Sequence, residues 1–534
     1  MSILSRWQEK KYPALKNESQ DVLSGHEDDQ AVSKFSQWVM NCDFLEGAFW
    51  LSSAYAVWVG KNKRSDQALF FTPPELAIRL IDNLVAHGAD VENHTWFDPA
   101  AGGAAFLAPL SMKVREKLLE NGCTHAEIVD HISNHLIGND INPFLSYLSF
   151  EYVKMAIYDQ ILGADMLPRN NISTGDALIC SGLSSDVVIC NPPYKKLKKI
   201  QASKYSAQFG EVMEGQPNIY GVFIERCIRS VKGDGLVGVL TPTSYFAGKN
   251  FEKLRVSINE KVTVNQVDLV QDREGVFIGV LQETAISIFS KRPALKSTPE
   301  IYSYKKGDGF VKVGISDIPK NGRPWPLPRT KRDSEILKHA KGLTARLEDY
   351  DYKVKVGAYV DFRDKRETYT NLSNDLGVKS VPLIWPSDIK PGSIFNSSWS
   401  PSRDGRAAYI AVDDLNHPSV IKEPFVALQR VSSSDQRTRL IVTYAEKSFF
   451  ENFDGVMGEN HVLLLVPGKN SCISPRELSA LLGHEKIDRL FACISGSINV
   501  SSYELKYLPL PDPKVLREAI DFHGNLIGAI DSIF

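Results

Sequence analysis

Apolar positions change their spacing along this chain, and each change marks a different kind of structure. Residues 1–30 are polar and charged, with no sustained pattern, and read as a loosely held arm. Residues 31–65 carry helical periodicity and place Trp38, Phe44, Phe49, Trp50 and Trp58 as buried candidates. From about residue 70 short apolar runs alternate with helical stretches. "FFTPPELAIRLIDNLVAHG" puts Thr72 before prolines suited to a first helical turn. "TWFDPAAGGAAFLAPLSMKVREKLLE" reads as strand, glycine turn and helix, and "HLIGNDINPFLSYLSFEYVKMAIY" repeats that plan. "NISTGDAL" and "DVVICNPPY" are two further strand ends. "NIYGVFIERCIRSVKGDGLVGVLTPTSYF" predicts helix, Gly-Asp-Gly turn and strand, and "VTVNQVDLVQDREGVFIGVLQETAISIFSK" a strand, a loop and a final strand.

Strands separated by helices predict an α/β fold with a mainly parallel sheet. The proline-rich "RPWPLPRTKRD" at 323–333 marks a boundary. Beyond it the text favours short strands ("YVDFR", "FVALQRV", "TRLIVTY", "HVLLLVPG"), then a helical stretch at 475–496. Three segments result: an N-terminal arm and helical segment over 1–65, an α/β domain over 66–325, and an α+β domain over 326–534.

Composition narrows the class. With 534 residues, 43% hydrophobic and 24% charged, the chain has the profile of a soluble globular protein of two to four domains. The formal charge of −2 excludes global attraction to a polyanion. Positive charge is instead local: Lys195, Lys196, Lys198, Lys199 and Lys204 cluster with no acid between Asp186 and Glu211. Seven scattered cysteines without a CxxC argue against both a disulfide framework and a structural zinc. The opening residues lack the apolar core of a signal peptide, and no apolar run approaches the ~20 residues of a membrane span, so a cytoplasmic location is expected.

In an open α/β sheet, ligands bind outside the carboxyl ends of the strands. Four such ends carry an acid or amide followed by small or stiff residues. Asp98-Pro99-Ala100-Ala101-Gly102-Gly103 lets backbone approach a ligand closely, and the negative Asp98 suits a cationic or amino-bearing one. The stretch is not GxGxxG, which makes a dinucleotide a poor fit. Asp140, in "GNDINP", is placed to grip ribose hydroxyls, with Ile141 against a purine face. Asp176, in "GDAL", is placed to accept from an exocyclic amine.

The fourth end is "NPPY", 191–194. Pro192 and Pro193 are stiff and lack N–H groups, leaving the Pro192 carbonyl outward as an acceptor beside the Asn191 side-chain oxygen. Two acceptors aimed at one exocyclic NH2 draw its hydrogens out of the ring plane and free the nitrogen lone pair for attack. Tyr194 adds a ring for base stacking, and Lys195, Lys196, Lys198 and Lys199 add cations for a nucleic-acid backbone.

On these motifs, in this order, the chain resembles a γ-class (TaqI-type) DNA adenine-N6 methyltransferase of restriction-modification systems. "FFTPPEL", "FDPAAGGAAFL", "GNDINP", "GDAL" and "NPPY" follow in the family's sequence, and "NIYGVFIE" and "GVFIGVLQETAISIF" resemble its later segments. The resemblance covers roughly 65–290 and implies a class I AdoMet-dependent methyltransferase (Rossmann-like) sheet. It implies S-adenosylmethionine as cofactor, held by Thr72, Asp98, Ala100, Gly102, Asp140, Ile141, Asp176 and Asn191. It further implies catalysis by Asn191, Pro192 and Tyr194, with Phe277 on the other face of a flipped base. Ala177 departs from the pattern, since an aromatic residue often follows the third acid. More loosely, "VGAYVDFRDKR", "PFVALQRVSSSDQRTRLIVTY", "ENHVLLL" and "SGSINVSSYELKYLPLP" resemble target-recognition domains of the same class.

Double-stranded DNA is therefore the expected partner, with a cognate restriction endonuclease acting on the same site, no membrane, and a monomer as working form. The alternatives are methylation of cytosine N4, an RNA base or a protein glutamine, or a non-catalytic DNA specificity subunit. His131 and His135 sit at helical metal-pair spacing, but no third ligand is near and no metal is expected.

Overall fold

The computed structural model describes residues 2–15, 30–60, 70–158, 167–180, 182–271, 282–292, 297–371, 379–401, 405–431, 438–496 and 499–534. The chain forms two compact units. One comprises Met1–Tyr245, Asn250–Lys312 and Asp317–Gly322; the other comprises Phe246–Lys249, Val313–Ser316 and Arg323–Phe534.

The first unit is built on a sheet of β1 (Trp96–Asp98), β2 (Leu136–Asp140), β3 (Ile172–Thr174), β4 (Ser185–Cys190), β5 (Val231–Pro242), β6 (Thr263–Val270), β7 (Thr284–Ser290), β8 (Glu300–Lys305) and the first part of β9 (Gly309–Ile315). Their order is β3-β2-β1-β4-β5-β7-β6-β8-β9. Strands β1 to β5 pair in parallel, and β7 runs antiparallel to both β5 and β6. This is a mixed α/β sheet, parallel through β1 to β5, as the alternation of strands and helices predicts. Fully buried runs such as Val187–Cys190 suit parallel strands covered on both faces. The register sets Trp96 beside both Leu136 and Val187, and Asp140 beside Thr174. The carboxyl ends of β1 to β4 therefore lie together where the strand order reverses.

The helices that flank the sheet form for legible reasons. Pro74 occupies the first turn of Pro74–Ala86, whose Leu80 and Leu84 press onto β5 so closely that a Cβ at Gly238 would meet them at 2.6 and 2.9 Å. Asn142 caps Pro143–Ala156, its side chain accepting from the Phe144 and Leu145 N–H groups. The Gly-Asp-Gly stretch at 233–235 runs inside β5 instead of forming a separate turn, and the β4 pairing absorbs it as an irregularity. Strand β7 is not the last, because β8 joins β6 in parallel and β9 follows at the edge.

The N-terminal residues depart from the loose arm their polarity suggests. Helix Ser2–Lys11 buries Ile3, Leu4 and Trp7, and Gln8 donates to Glu151 Oε2 at 2.8 Å inside a buried Glu151–Lys154 ion pair of 2.7 Å. Trp7 also overturns the expected face of helix Phe44–Trp58. Its ring fills the space beside Gly47, so Gly47, Ala48, Ser52, Ser53 and Ala56 face inward. Trp38 and Trp58 are left 43% and 65% exposed.

The second unit holds a sheet ordered β10-β18-β15-β16-β13 and another ordered β11-β14-β12-β17. These strands are β10 (Tyr352–Val356), β11 (Thr368–Tyr369), β12 (Ser380–Ile384), β13 (Ile394–Phe395), β14 (Tyr409–Ala411), β15 (Val426–Gln429), β16 (Val442–Ala445), β17 (Met457–Gly458) and β18 (Val462–Pro467). Leu463 and Leu465 of β18 pack with Leu478, Leu482, Leu490 and Phe491 of two helices. "YVDFR" is a turn, not a strand: the Arg363 N–H donates to the Val360 carbonyl at 2.9 Å. No helix among the described residues is long and apolar enough to cross a membrane.

Candidate active site

A cavity of about 540 Å³ opens at the strand ends of the first unit. Its lining includes Ala100 and Gly102 after β1, Asp140 and Ile141 after β2, Asp176 and Ala177 after β3, and Asn191, Pro192 and Pro193 after β4. Phe70, Phe71, Lys195, Leu197, Gln201, Tyr205, Ile219 and Phe223 complete most of the wall. Its size and mixed lining fit a small-molecule site.

After β1 the chain makes a tight loop braced by two serines from its surroundings. Ser149 donates to the Gly102 carbonyl at 2.6 Å and accepts from the Ala104 N–H at 3.1 Å. Ser52 stands where a Gly103 Cβ would be, only 2.2 Å from its Oγ. Ala104 has φ +52°, a left-handed conformation that strains a side chain by roughly 1 kcal/mol or more and persists only under such restraint. Asp98 lies behind the loop, 1% exposed and outside the cavity lining. Its Oδ1 accepts from the Ala100 N–H at 3.0 Å, while Oδ2 finds no partner among the described residues. Burial, reinforced by the charge of Asp140, pushes this carboxyl up to about 8, so it is largely protonated at neutral pH.

Asp140 is the bridge between two loops. Its Oδ2 accepts from the Gly102 N–H at 2.9 Å and its Oδ1 from the Asn142 N–H at 2.7 Å. Burial raises it to about 6, with those two N–H groups opposing the shift. Ionised above that pH, it retains acceptor capacity toward the cavity. Ile141 beside it is 68% exposed, an apolar surface without a core to join. Asp176 is more heavily engaged. Oδ1 accepts from the Leu178 N–H at 3.1 Å, and Oδ2 takes Lys204 Nζ at 2.7 Å and the Tyr205 hydroxyl at 3.0 Å.

At "NPPY" the Asn191 Nδ2 donates to Thr72 Oγ1 at 2.8 Å. Thr72 is buried, lies outside the cavity lining, and orients the amide. Asn191 Oδ1 is shielded from solvent and has no partner among the described residues. A buried acceptor left so costs roughly 1–3 kcal/mol, a pattern that marks functional groups. The Tyr194 hydroxyl donates to the Leu240 carbonyl of β5 at 3.1 Å, and its ring lies 6.3 Å from Phe70, 21° from parallel. Phe277 lies outside the described residues. Lys195 lines the cavity, and Lys196, Lys198 and Lys199 are exposed along the approach to helix Lys199–Phe209.

Sequence reasoning missed the Thr72–Asn191 bond, the Lys204 and Tyr205 contacts to Asp176, and the aromatic pair Phe70–Tyr194. The only signal in the chain was four-residue spacing of Gln201, Tyr205 and Phe209 after the lysine run. His131 and His135 stack their rings at 3.9 Å, and no group of three metal-ligating side chains occurs among the described residues.

Residues 113–277 match the model of the Eco57I restriction-modification methylase family. Over that stretch the chain is similar to restriction-modification methylases. Type II methyltransferase M.PstI of Providencia stuartii is 25% identical over 341 residues, 62% of this chain and 66% of that protein, just under two thirds of its length. Type II methyltransferase M.BsuBI of Bacillus subtilis is 21% identical over 475 residues, covering 85% of this chain and 89% of that one. Among solved structures, the type IIL restriction-modification enzyme MmeI in complex with DNA superposes with a TM-score of 0.53 at 12% identity. That match covers 94% of this chain and 75% of MmeI and shows a shared fold.

Proposed function

We propose that this protein is a site-specific DNA methyltransferase, moving a methyl group from S-adenosylmethionine to N6 of an adenine turned out of the duplex, as the modification enzyme of a restriction-modification system. The observation that carries the reading is the Asn191 carbonyl, buried and unpartnered on a residue lining the cavity, with its amide nitrogen tied to Thr72.

The donor set fits the cofactor. Asp140, with acceptor capacity at a strand end, would take the ribose hydroxyls, and Ile141 would cover a purine face. Ala100 and Gly102 admit a ligand to the backbone, and Asp176 flanks the position of an exocyclic amine. When bound, S-adenosylmethionine supplies an electrophilic methyl group on a sulfonium. The chain's own residues do the rest. Asn191 Oδ1 and the Pro192 carbonyl accept from the target amine and localise its lone pair on nitrogen. Tyr194, anchored through its hydroxyl, offers a fixed ring to the extruded base; Phe277 is assigned to the opposite face by resemblance. Positioning and fixed dipoles account for the rate without a covalent intermediate. Lys195, Lys196, Lys198 and Lys199 hold phosphates, and the second unit reads the target sequence. A monomer suffices, and a separate nuclease would share the site.

The test is to incubate the protein with S-adenosylmethionine and unmethylated DNA, digest to nucleosides and weigh them. N6-methyladenine is expected with wild type and absent with Asn191→Ala. N4-methylcytosine, or no methylated nucleoside, would overturn the assignment.

A further inference from the structure

Ile200 is 87% exposed, the most exposed large hydrophobic side chain among the described residues. It is held rigidly in that position. Leu197 before it is 2% exposed and lines the cavity, as does Gln201 after it. Helix Lys199–Phe209, which carries Ile200 in its first turn, is anchored by buried Tyr205 and Phe209. Lys204 and Tyr205 both bind Asp176 Oδ2, at 2.7 and 3.0 Å, which ties the helix to the loop after β3. Ile200 thus lies in the chain between two cavity-lining residues, Leu197 and Gln201, on an anchored helix and directly after Lys195, Lys196, Lys198 and Lys199.

An exposed aliphatic group at the end of a lysine run has no protein core to join. The charges select a polyanion, and the side chain needs an apolar slot inside it. A nucleic-acid duplex supplies both, phosphates outside and stacked bases within. When a base leaves the stack for a cavity beside it, the vacated step is an apolar slot of that kind, and inserted aliphatic side chains stabilise such openings. Resting on the function proposed above, we infer that Ile200 is the wedge that enters the duplex where the target adenine leaves it. It makes no contact with the reacting atoms. It is a positioning residue that shifts the equilibrium toward the extruded base.

The full-length protein first methylates unmethylated plasmid DNA, and sequencing of the modified positions gives the target site. Single-turnover transfer is then measured on two short duplexes of that site, one fully paired and one mismatched at the target adenine. A mismatch removes much of the opening cost. Ile200→Ala is expected to slow transfer on the paired duplex by roughly tenfold or more, the worth of burying one aliphatic side chain. On the mismatched duplex it should match the parent, and Ile200→Leu should retain the parent rate on both. Affinity for S-adenosylmethionine and thermal unfolding should be unchanged, since the side chain is solvent-exposed. Equal rates for Ile200→Ala and parent on the paired duplex, or the same slowing on both duplexes, would overturn the wedge while leaving the methyltransferase intact. A parent protein that methylates no DNA overturns the underlying function, and the wedge with it.

Discussion

Replacing Asp98 by asparagine should make the fold more stable at alkaline pH and less stable in acid. Asp98 is 1% exposed, its Oδ2 has no partner among the described residues, and its carboxyl is pushed from 3.8 up to about 8 chiefly by burial, then by Asp140. A folded-state value above the unfolded one means that the protonated form carries the stability. That stability is complete below about pH 4 and is lost as pH rises through about 8. At about 1.4 kcal/mol per tenfold change in proton activity, ionising this group in place costs on the order of 6 kcal/mol well above pH 8. Asparagine removes the titration and keeps an acceptor for the Ala100 N–H. It also buries an amide NH2 without an acceptor, at roughly 1–3 kcal/mol. The variant should therefore be less stable than the parent at pH 4 and more stable by about 3–5 kcal/mol above pH 8. Urea unfolding of both proteins between these limits gives the difference directly. A difference that does not change with pH would refute the reasoning, because it would mean that Asp98 has the same proton affinity folded and unfolded.

Asp140→Asn should weaken S-adenosylmethionine binding by about 2 kcal/mol, roughly 30-fold, by removing a charged acceptor. DNA binding should persist, and calorimetry with an unchanged Kd would remove Asp140 from the cofactor site; alanine is the poorer choice because it releases both the Gly102 and the Asn142 N–H groups, whereas asparagine still accepts from one of them. Changing Lys195, Lys196, Lys198 and Lys199 to glutamine should lower the log–log salt slope of DNA binding by about 0.9 for each phosphate no longer neutralised. An unaltered slope would make the run a solvated loop. Exchanging residues 323–534 for the matching region of a relative should move the methylated sequence while adenine N6 remains the acceptor, and sequencing of modified DNA reads the outcome.

Much of the first unit was legible because its signals are local. Four strand ends bearing Asp98, Asp140, Asp176 and Asn191 lie next to one another in β1 to β4, as a parallel sheet with crossover helices requires. What escaped was carried by contacts between distant segments. Thr72 reads as a residue before a helix, and nothing in its neighbourhood announces a partner 119 positions away. Lys204 reads as one more cation of a run, yet it is paired with Asp176. The N-terminal helix is hidden by its polarity because Trp7 and Gln8 find their partners, Gly47 and Glu151, outside their own stretch. Size alone points the tryptophans at 38 and 58 inward, whereas small residues allow the closer helix contact. Short strands of the second unit were legible where apolar runs are continuous, as in β15 and β18. "YVDFR" alternates like a strand but closes on itself as a turn.

The Thr72–Asn191 bond has a chemical consequence beyond holding a side chain still. An amide is two-faced, and either end can point at a substrate. With the NH2 end committed to Thr72 Oγ1, only the oxygen end remains to meet an incoming base. An exocyclic amino group finds a complementary acceptor there. A base bearing a carbonyl at the same ring position, such as hypoxanthine, meets a lone pair with a lone pair. On the function proposed above, deaminated adenine would be turned away by polarity rather than by shape, through a threonine that lies outside the cavity lining.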